Sequence, residues 1–182
     1  METQYNPVQT TPFSFKEKIK SRLWDLINGS LYRYSPFFCR KFRVFLVNLF
    51  GGNVDNTCSL DRKSKIGHPW NLTMRHLSSL GENTWVYCLD KITIEEKCCI
   101  GKDVYLLTGN HDIEKPAFDL ITKPILVKSN SWIATGAYIL PNVVIGKNCV
   151  VAAKSLVNKS VEDNSVVGGN PAKFIKKREI KE

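Results

Sequence analysis

The chain has 182 residues, 43% of them hydrophobic, which suits one domain with or without an appendage. A formal net charge of +9 and a pI near 9.3 predict attraction to an anionic partner. No zinc-finger, homeodomain or RNA-binding signature accompanies this charge, so we expect no nucleic-acid partner. The positive charge could instead attract a phosphorylated cofactor, a nucleotide-linked substrate or an anionic membrane surface, or simply solvate the exterior.

The first predicted elements are an irregular arm and a helix. Residues 1–12 are polar and contain two prolines. Ser14 and Glu17 have the spacing of a capping box, which predicts a helix over about 14–28 that Gly29 ends. The apolar residues of this helix fall on one face: Phe15, Ile19, Leu23, Leu26 and Ile27.

A second helix is predicted over about 36–50, starting at Ser35 and Pro36. It is apolar and basic, and it is too short to span a bilayer. Two interpretations stay open, separately or together. Residues 14–50 either lie on an anionic membrane face or pack as a helix pair on an open end of the following domain. We find no secretory signal, so the expected location is the cytoplasm, with the inner face of the membrane as an option.

A strict six-residue period organises the next part of the chain. Neither a helix nor an alternating strand repeats every six residues, so the period indicates a hexapeptide-repeat parallel β-helix with three faces per coil. Its aliphatic column is Val127, Ile133, Ile139, Ile145, Val151 and Val157. The small or medium residues four places after the first five are Ser131, Ala137, Val143, Cys149 and Ser155.

The same six-residue period begins at Val54 and is interrupted twice by two extra residues, interruptions here called slips. We expect the extra residues to bulge outward at corners of the coil. Cys58 and Cys98 fall on the small inward positions, as does Cys149, and are predicted to fill the core of a protein in a reducing compartment.

The period stops at His111 and restarts at Val127, so the intervening residues are predicted to leave the coil as a loop, and long loops in compact scaffolds are often functional. Residues after Val157 lose the pattern and end in a short helix or a frayed tail. The predicted organisation is an N-terminal arm and two-helix segment at 1–52, a β-helix domain at 53–172 with an extruded loop at 112–124, and a basic tail at 173–182.

Three histidines are the first candidates for chemistry: His68, His76 and His111. Their spacing does not match the three-histidine zinc site of the carbonic anhydrases that use this scaffold, so no metal is expected. His111 is different because it stands where the coil breaks, between Asn110 and Asp112. An imidazole can accept a proton near neutral pH, which makes His111 a candidate general base.

Four motifs carry a resemblance to a known family: T-G-N-H-D at 108–112, L-I-T-K-P-I at 120–125, S-W-I-A-T-G-A at 131–137 and G-G-N-P-A-K at 168–173. From Val54 to Lys177 the chain resembles the left-handed β-helix acyltransferases of the hexapeptide family. It is most similar to the colanic-acid, nodulation-factor and galactoside types of O-acetyltransferase. The resemblance implies an all-β, left-handed coil, a homotrimer with sites between neighbouring coils, and acetyl-CoA as co-substrate.

The resemblance also implies roles for individual residues. His111 matches the general base that takes a proton from a sugar hydroxyl. Trp132 matches a residue beside the acetyl end of the co-substrate, and Thr135 and Ala153 match positions along its pantetheine arm. The remaining matches are phosphate-binding lysines and polar residues on the acceptor side: Lys159, Lys173 and Lys176, then Asn110, Asp112 and Asp90. The chain departs from the family at Ala134, where glycine is usual, and at Lys154.

The resulting hypothesis is an acetyl-CoA-dependent O-acetyltransferase that acts on a free, nucleotide-linked or lipid-linked saccharide in exopolysaccharide or lipopolysaccharide assembly. An acetyltransferase for an antibiotic hydroxyl is the alternative, because that group shares the histidine. A catalytically silent β-helix and a carbonic anhydrase-like metal enzyme are the remaining possibilities.

Overall fold

The first described element is a helix that begins where the sequence predicts. The computed structural model describes residues 13–180, so the predicted arm at 1–12 lies outside the described part. Helix α1 spans Phe15–Ile27, and its capping box is confirmed: the Ser14 amide donates to Glu17 Oε2 at 2.7 Å and the Glu17 amide donates to Ser14 Oγ at 3.3 Å. Gly29 does not end the helical segment, which continues as a π-helical turn over Asn28–Tyr32.

Helix α2 spans Arg40–Leu49 and begins later than predicted. Ser35 does not cap it, because the Ser35 hydroxyl donates to the Tyr32 carbonyl at 2.7 Å and accepts from Arg43 Nη1 at 2.9 Å. No helix within residues 13–180 is both long and apolar enough to cross a membrane.

Short strands after α2 wind into a parallel β-helix with three faces, here named A, B and C in the order in which the chain visits them, with strands numbered in chain order. Face A contains Asn53–Val54 (β1), Leu72–Met74 (β4), Ile92–Ile94 (β7), Ile125–Val127 (β12) and Val144–Ile145 (β15). Face B contains Ser59–Leu60 (β2), Ser79–Leu80 (β5), Cys99–Ile100 (β8), Trp132–Ile133 (β13), Val150–Val151 (β16), Ser165–Gly168 (β18) and Lys173–Lys177 (β19). Face C contains Lys65–Ile66 (β3), Trp85–Tyr87 (β6), Tyr105–Leu107 (β9), Tyr138–Ile139 (β14) and Leu156–Val157 (β17). A separate pair is formed by Gly109–His111 (β10) and Leu120–Thr122 (β11).

The six-residue period is confirmed as the inward column of the coil. Val127 pairs in register with Ile145, eighteen residues on, and Ile133 pairs with Ile100 on one side and Val151 on the other. Every member of the predicted aliphatic column and of its small companion column is buried. Cys58, Cys98 and Cys149 are buried in this core, and burial raises the pKa of each thiol, to about 11 for Cys98.

The two slips do not bulge outward, contrary to the prediction. They lengthen β4 and β7 on face A to three residues, so that Leu72 and Ile92 add a second inward side chain beside Met74 and Ile94. A third such position is Ile125 in β12, where the chain returns from its interruption. All three insertions therefore lie at the corner between faces C and A, where face A absorbs the extra length as paired strand.

The predicted extruded loop and the predicted tail both form strands. Residues 109–122 make an antiparallel hairpin, with Gly109 opposite Thr122 and His111 opposite Leu120, so the departure from the coil starts before position 112. At the C-terminus, β19 returns antiparallel to β18 and places Lys173 opposite Gly168. The expected short helix or frayed tail is therefore wrong for Lys173–Lys177, because pairing continues face B past residue 172.

The helix pair packs on the first coil, as one of the two interpretations predicted. The Trp24 indole N–H donates to the Ile66 carbonyl at 2.7 Å, and the Tyr32 hydroxyl lies 2.7 Å from Ser64 Oγ. Helix α2 lies over β1 and β2, with Val44 and Val47 fully buried. The helices thereby cover the end of the coil, where backbone groups and apolar side chains of β1–β3 have no preceding coil to pair with.

Arg43 is a buried cation that joins α2 to the coil. It is 2% exposed, and its guanidinium donates to the carbonyls of Leu60, Pro36 and Phe37 at 2.7–2.9 Å as well as to Ser35. Arginine suits this position because its planar fork presents several donors in fixed directions.

We expect Arg43→Met to lower the free energy of unfolding by about 2 kcal/mol, because it leaves buried carbonyl oxygens without a donor while keeping much of the side-chain volume. Urea unfolding followed by circular dichroism, at one protein concentration, measures the change. The control is Lys41→Met on the exposed side of the same helix, expected within about 0.5 kcal/mol of the parent. Equal midpoints for the two variants would contradict a role for Arg43 in holding α2.

Candidate functional site

His111 lies on the hairpin that leaves the coil between faces C and A. Its ring stacks on Phe118, with centroids 4.4 Å apart and planes at 7°, and Nδ1 lies 2.9 Å from the Phe118 carbonyl oxygen. Because a carbonyl oxygen can only accept, Nδ1 carries the proton in this contact and donates it. The other ring nitrogen, Nε2, then holds the lone pair. This is the tautomer that a general base needs. The Phe118 carbonyl and the Phe118 ring together hold the imidazole in place on the hairpin.

Asn110 and Asp112 support the hairpin around this histidine. Asn110 Oδ1 accepts from the backbone amide of His111 at 2.9 Å. Asp112 Oδ1 accepts from the Glu114 amide at 3.2 Å, and its other oxygen lies 3.4 Å from Lys115 Nζ. Both side chains thus hold the turn that presents His111, and their direct contact with a substrate stays a prediction.

Asp90 lies at the base of the hairpin, on the same corner. Its amide donates to Thr108 Oγ1 at 3.0 Å, and Thr108 in turn donates to the Tyr87 carbonyl at 2.8 Å. The Asp90 carboxylate accepts from the Lys91 amide, so the residue shapes the turn. Neighbouring Cys88 is fully buried, and burial raises the pKa of its thiol to about 12, which leaves it unreactive near neutral pH.

Trp132, Thr135 and Ala153 lie elsewhere, on face B and at the corner between faces B and C. Trp132 is 48% exposed and pairs with Cys99 and Val150 in the neighbouring coils. The Lys154 amide donates to the Thr135 carbonyl at 2.9 Å, so Thr135 and Ala153 occupy the same corner one coil apart. This corner and the adjoining strip of face B form one continuous edge for an extended ligand.

The lysines predicted to meet phosphates divide between two places. Lys173 and Lys176 are exposed on β19, where Lys173 lies opposite Gly168 beside Ala152. They continue the edge that carries Thr135 and Ala153. Lys159 does not join them, because it follows β17 and lies at the corner between faces C and A. Lys154 is exposed and lines an open groove with Gly136, Tyr138 and Asn170.

The predicted residues therefore form two half-sites. The hairpin half-site consists of Asn110, His111, Asp112, Asp90 and Lys159, at the corner between faces C and A. The face-B half-site consists of Trp132, Thr135, Ala153, Lys173 and Lys176. In a three-faced coil, face B lies opposite the corner between C and A. A single chain thus places the two half-sites on opposite sides of the coil.

The sequence did not single out four residues that lie in or beside these half-sites. Phe118 provides both the stacking ring and the carbonyl for His111, and its only sequence signal is an aromatic residue in the interrupted segment. Cys99 is exposed beside Trp132, a position that the six-residue period could have given. Tyr138 and Tyr105 stack at 4.5 Å on face C beside the groove that Lys154 lines.

The other two histidines have structural partners. His68 Nε2 lies 3.4 Å from Ser21 Oγ, and burial lowers its pKa. His76 Nδ1 lies 3.1 Å from Thr57 Oγ1. Among residues 13–180, no group of three or more His, Cys, Asp or Glu side chains is placed to hold a metal ion.

Known acetyltransferases are similar to this chain in sequence and in fold. The sequence profile described as bacterial transferase hexapeptide (six repeats) matches residues 124–159. The chain is 35% identical over 160 residues to an Escherichia coli K12 protein named as a colanic acid biosynthesis acetyltransferase, WcaF, with 88% of each chain covered. Its fold is similar to that of VCA0836, a hexapeptide-repeat acetyltransferase of Vibrio cholerae solved with acetyl-CoA, at a TM-score of 0.83, 23% identity and 94% coverage of each chain. A galactoside acetyltransferase solved with coenzyme A gives a TM-score of 0.85 at 20% identity, covering 93% of this chain and 86% of that one.

Proposed function

The chain belongs to the hexapeptide-repeat acetyltransferases, and from this premise we propose that it moves an acetyl group from acetyl-CoA to a saccharide hydroxyl with His111 as general base. The observation that carries the proposal is the contact between His111 Nδ1 and the Phe118 carbonyl, because it fixes the tautomer whose Nε2 can accept a proton. The similarity to WcaF over most of both chains favours a saccharide of a surface polysaccharide as the acceptor.

The proposed reaction is a direct transfer with no covalent enzyme intermediate. Nε2 of His111 takes the proton from the acceptor hydroxyl as its oxygen attacks the thioester carbonyl carbon. The oxygen of that carbonyl gains negative charge and needs backbone N–H donors nearby. The carbon–sulfur bond then breaks, and the imidazolium returns its proton to the departing thiolate. The products are the acetyl ester and coenzyme A, so atoms and charge balance.

Acetyl-CoA is proposed to lie along the face-B half-site. Trp132 is exposed where the acetyl end would lie, and Thr135 and Ala153 line the corner that the pantetheine arm would follow. Lys173 and Lys176 extend this edge, and ammonium groups suit phosphates as point charges. The Ala134 methyl, present where glycine is usual, does not narrow the edge because the residue is only 5% exposed.

We propose that the chain forms a homotrimer, and the separation of the two half-sites supports this proposal. If the hairpin half-site of one copy faces the face-B half-site of the next, the same contact repeated around a threefold axis closes a ring with three complete sites. Lys159 would then join the phosphate-binding lysines from the neighbouring copy. The six cysteines are free, which fits the proposed cytoplasmic location.

The experiment that tests the proposed activity is release of free thiol from acetyl-CoA in the presence of a panel of acceptors. The panel contains free, nucleotide-linked and lipid-linked sugars and antibiotics with a free hydroxyl. We expect thiol release with at least one saccharide, together with a product heavier by one acetyl group in mass spectrometry. Activity confined to the antibiotics would instead identify the alternative function, and no thiol release with any acceptor would contradict the transfer.

A further inference from the structure

The helix pair has a second side, which faces away from the coil. Large apolar side chains are exposed there: of nineteen such side chains exposed within residues 13–180, eleven lie between Phe15 and Leu49. Phe37 and Phe38, which stack edge to face at 5.4 Å between α1 and α2, are 80% and 69% exposed. Burying the first coil therefore accounts for only one side of the helix pair.

On each helix the exposed residues form a stripe opposite the buried one. Phe15, Ile19, Leu23 and Leu26 fall within about 80° of one another at 100° per residue, and Trp24 points the other way into the core. In α2, the exposed stripe of Phe42, Phe45 and Leu49 lies opposite the buried residues Val44 and Val47. Because both buried sides face the end of the coil, both exposed stripes face away from it. These residues, with Phe37 and Phe38, are here called the outer helix surface.

Basic side chains border the outer helix surface. Lys18 and Arg22 follow one edge of the α1 stripe and Lys16 the other, and Arg33 lies in the connection between the helices. Arg40 and Lys41 are exposed in the first turn of α2, which contains no acidic residue. Only two acidic residues, Glu17 and Asp25, occur between positions 13 and 50. The surface therefore combines exposed rings with a strong positive field.

The positive charges of Arg40 and Lys41 do not stabilise helix α2. The N-terminal end of a helix carries a partial positive charge, so cations in the first turn are unfavourable there and acidic residues are preferred. Arg40 lines a groove with Asp61 and Glu82 of the coil, so its charge has partners within the chain. Lys41 lies at the edge of the exposed stripe of a helix that contains no acidic residue, which favours an anionic ligand outside the chain.

We propose that the outer helix surface docks on the anionic surface of a lipid bilayer, with the rings of Phe37 and Phe38 entering the boundary between headgroups and acyl chains. Amphipathic helices with aromatic and leucine residues on one face and lysine and arginine beside them bind in this plane. A second copy of the chain fits less well, because its own basic border would face the same charge. The inference does not depend on which acceptor the enzyme uses.

Cosedimentation of the full chain with vesicles tests the docking. We expect binding to vesicles of phosphatidylcholine with phosphatidylglycerol, weaker binding at high salt, and little binding to phosphatidylcholine alone. Lys16→Glu with Lys41→Glu, which reverses one exposed charge beside each stripe, is expected to lower partitioning by about tenfold or more. Both positions lie in the first turn of a helix, where acidic residues are favourable, so α1 and α2 should stay folded. Phe37→Ser with Phe38→Ser should also lower partitioning, whereas Leu77→Ser, which changes an exposed leucine on the coil, is the matched control and should bind as the parent.

Three results would overturn the docking: no binding to anionic vesicles, binding unchanged by the charge reversal, or concentration-dependent self-association that the Phe37 and Phe38 substitutions abolish. The last result would assign the surface to a second copy. Thiol release from acetyl-CoA with a water-soluble acceptor, measured on the same preparations, keeps a failure of docking separate from a failure of the proposed activity.

Discussion

Replacing His111 by alanine is expected to lower acetyl transfer by about one hundredfold or more, the usual scale for loss of a positioned general base. The imidazole is exposed on the hairpin and stacks on the half-buried ring of Phe118, outside the buried columns, so the coil should not change. Steady-state thiol release gives the rate, and the effect should fall on kcat rather than on KM for acetyl-CoA, because the co-substrate is proposed to lie on the face-B half-site.

His76→Ala is the matched control for this substitution. His76 is also exposed, and its ring contacts Thr57 and Asp55 at the corner between faces A and B, away from both half-sites. We expect its rate within about twofold of the parent, and both variants should elute as the parent does in size-exclusion chromatography. Unchanged transfer by the alanine variant at position 111 would refute the assignment of the base.

The inward columns of the coil could be predicted because every coil repeats the same environment. An aliphatic side chain at Val127, Ile133 or Ile139 has the same neighbours one coil above and below, so the period in the sequence is the period of burial. The hairpin position could be predicted for the same reason, since it is where that period fails. Its internal structure could not, because the contact of His111 with Phe118 depends on an antiparallel pairing that no repeat encodes.

The helix pair was predictable in its existence but not in its orientation. The stripe from Phe15 to Leu26 has the spacing of a packing face, yet a single residue on the other side, Trp24, makes the buried contact with the coil. Hydrophobic spacing marks a face but does not say whether protein or another apolar phase covers it. The burial of Arg43 could not be predicted either, because a basic residue in an amphipathic helix is expected at the surface. Only the structure shows the four acceptors that its guanidinium contacts.

The division of the candidate site between two sides of the coil has a consequence that mixed assemblies can test. A His111→Ala chain keeps an intact face-B half-site, and an Ala153→Trp chain keeps an intact hairpin half-site, since the indole at the exposed corner should block only the co-substrate. Each variant alone is expected to be nearly inactive. The two variants are coexpressed at equal levels to form mixed copies of the proposed homotrimer. A site is intact when its hairpin comes from the Ala153→Trp chain and its face B from the His111→Ala chain, which gives about a quarter of the parental activity.

The matched control is coexpression of the parent chain with the double variant His111→Ala, Ala153→Trp. If each site spans two copies, about a quarter of the sites in these mixtures are intact as well, whereas sites built within one chain would leave about half of them intact. Sites built within one chain would also leave the first mixture with only the background activity of the two single variants. The pair of mixtures therefore separates the two arrangements by opposite changes. Equal activity in the two mixtures would establish that the corner that carries His111 forms a site with face B of a neighbouring copy. The opposite placement of the two half-sites on the coil requires this arrangement.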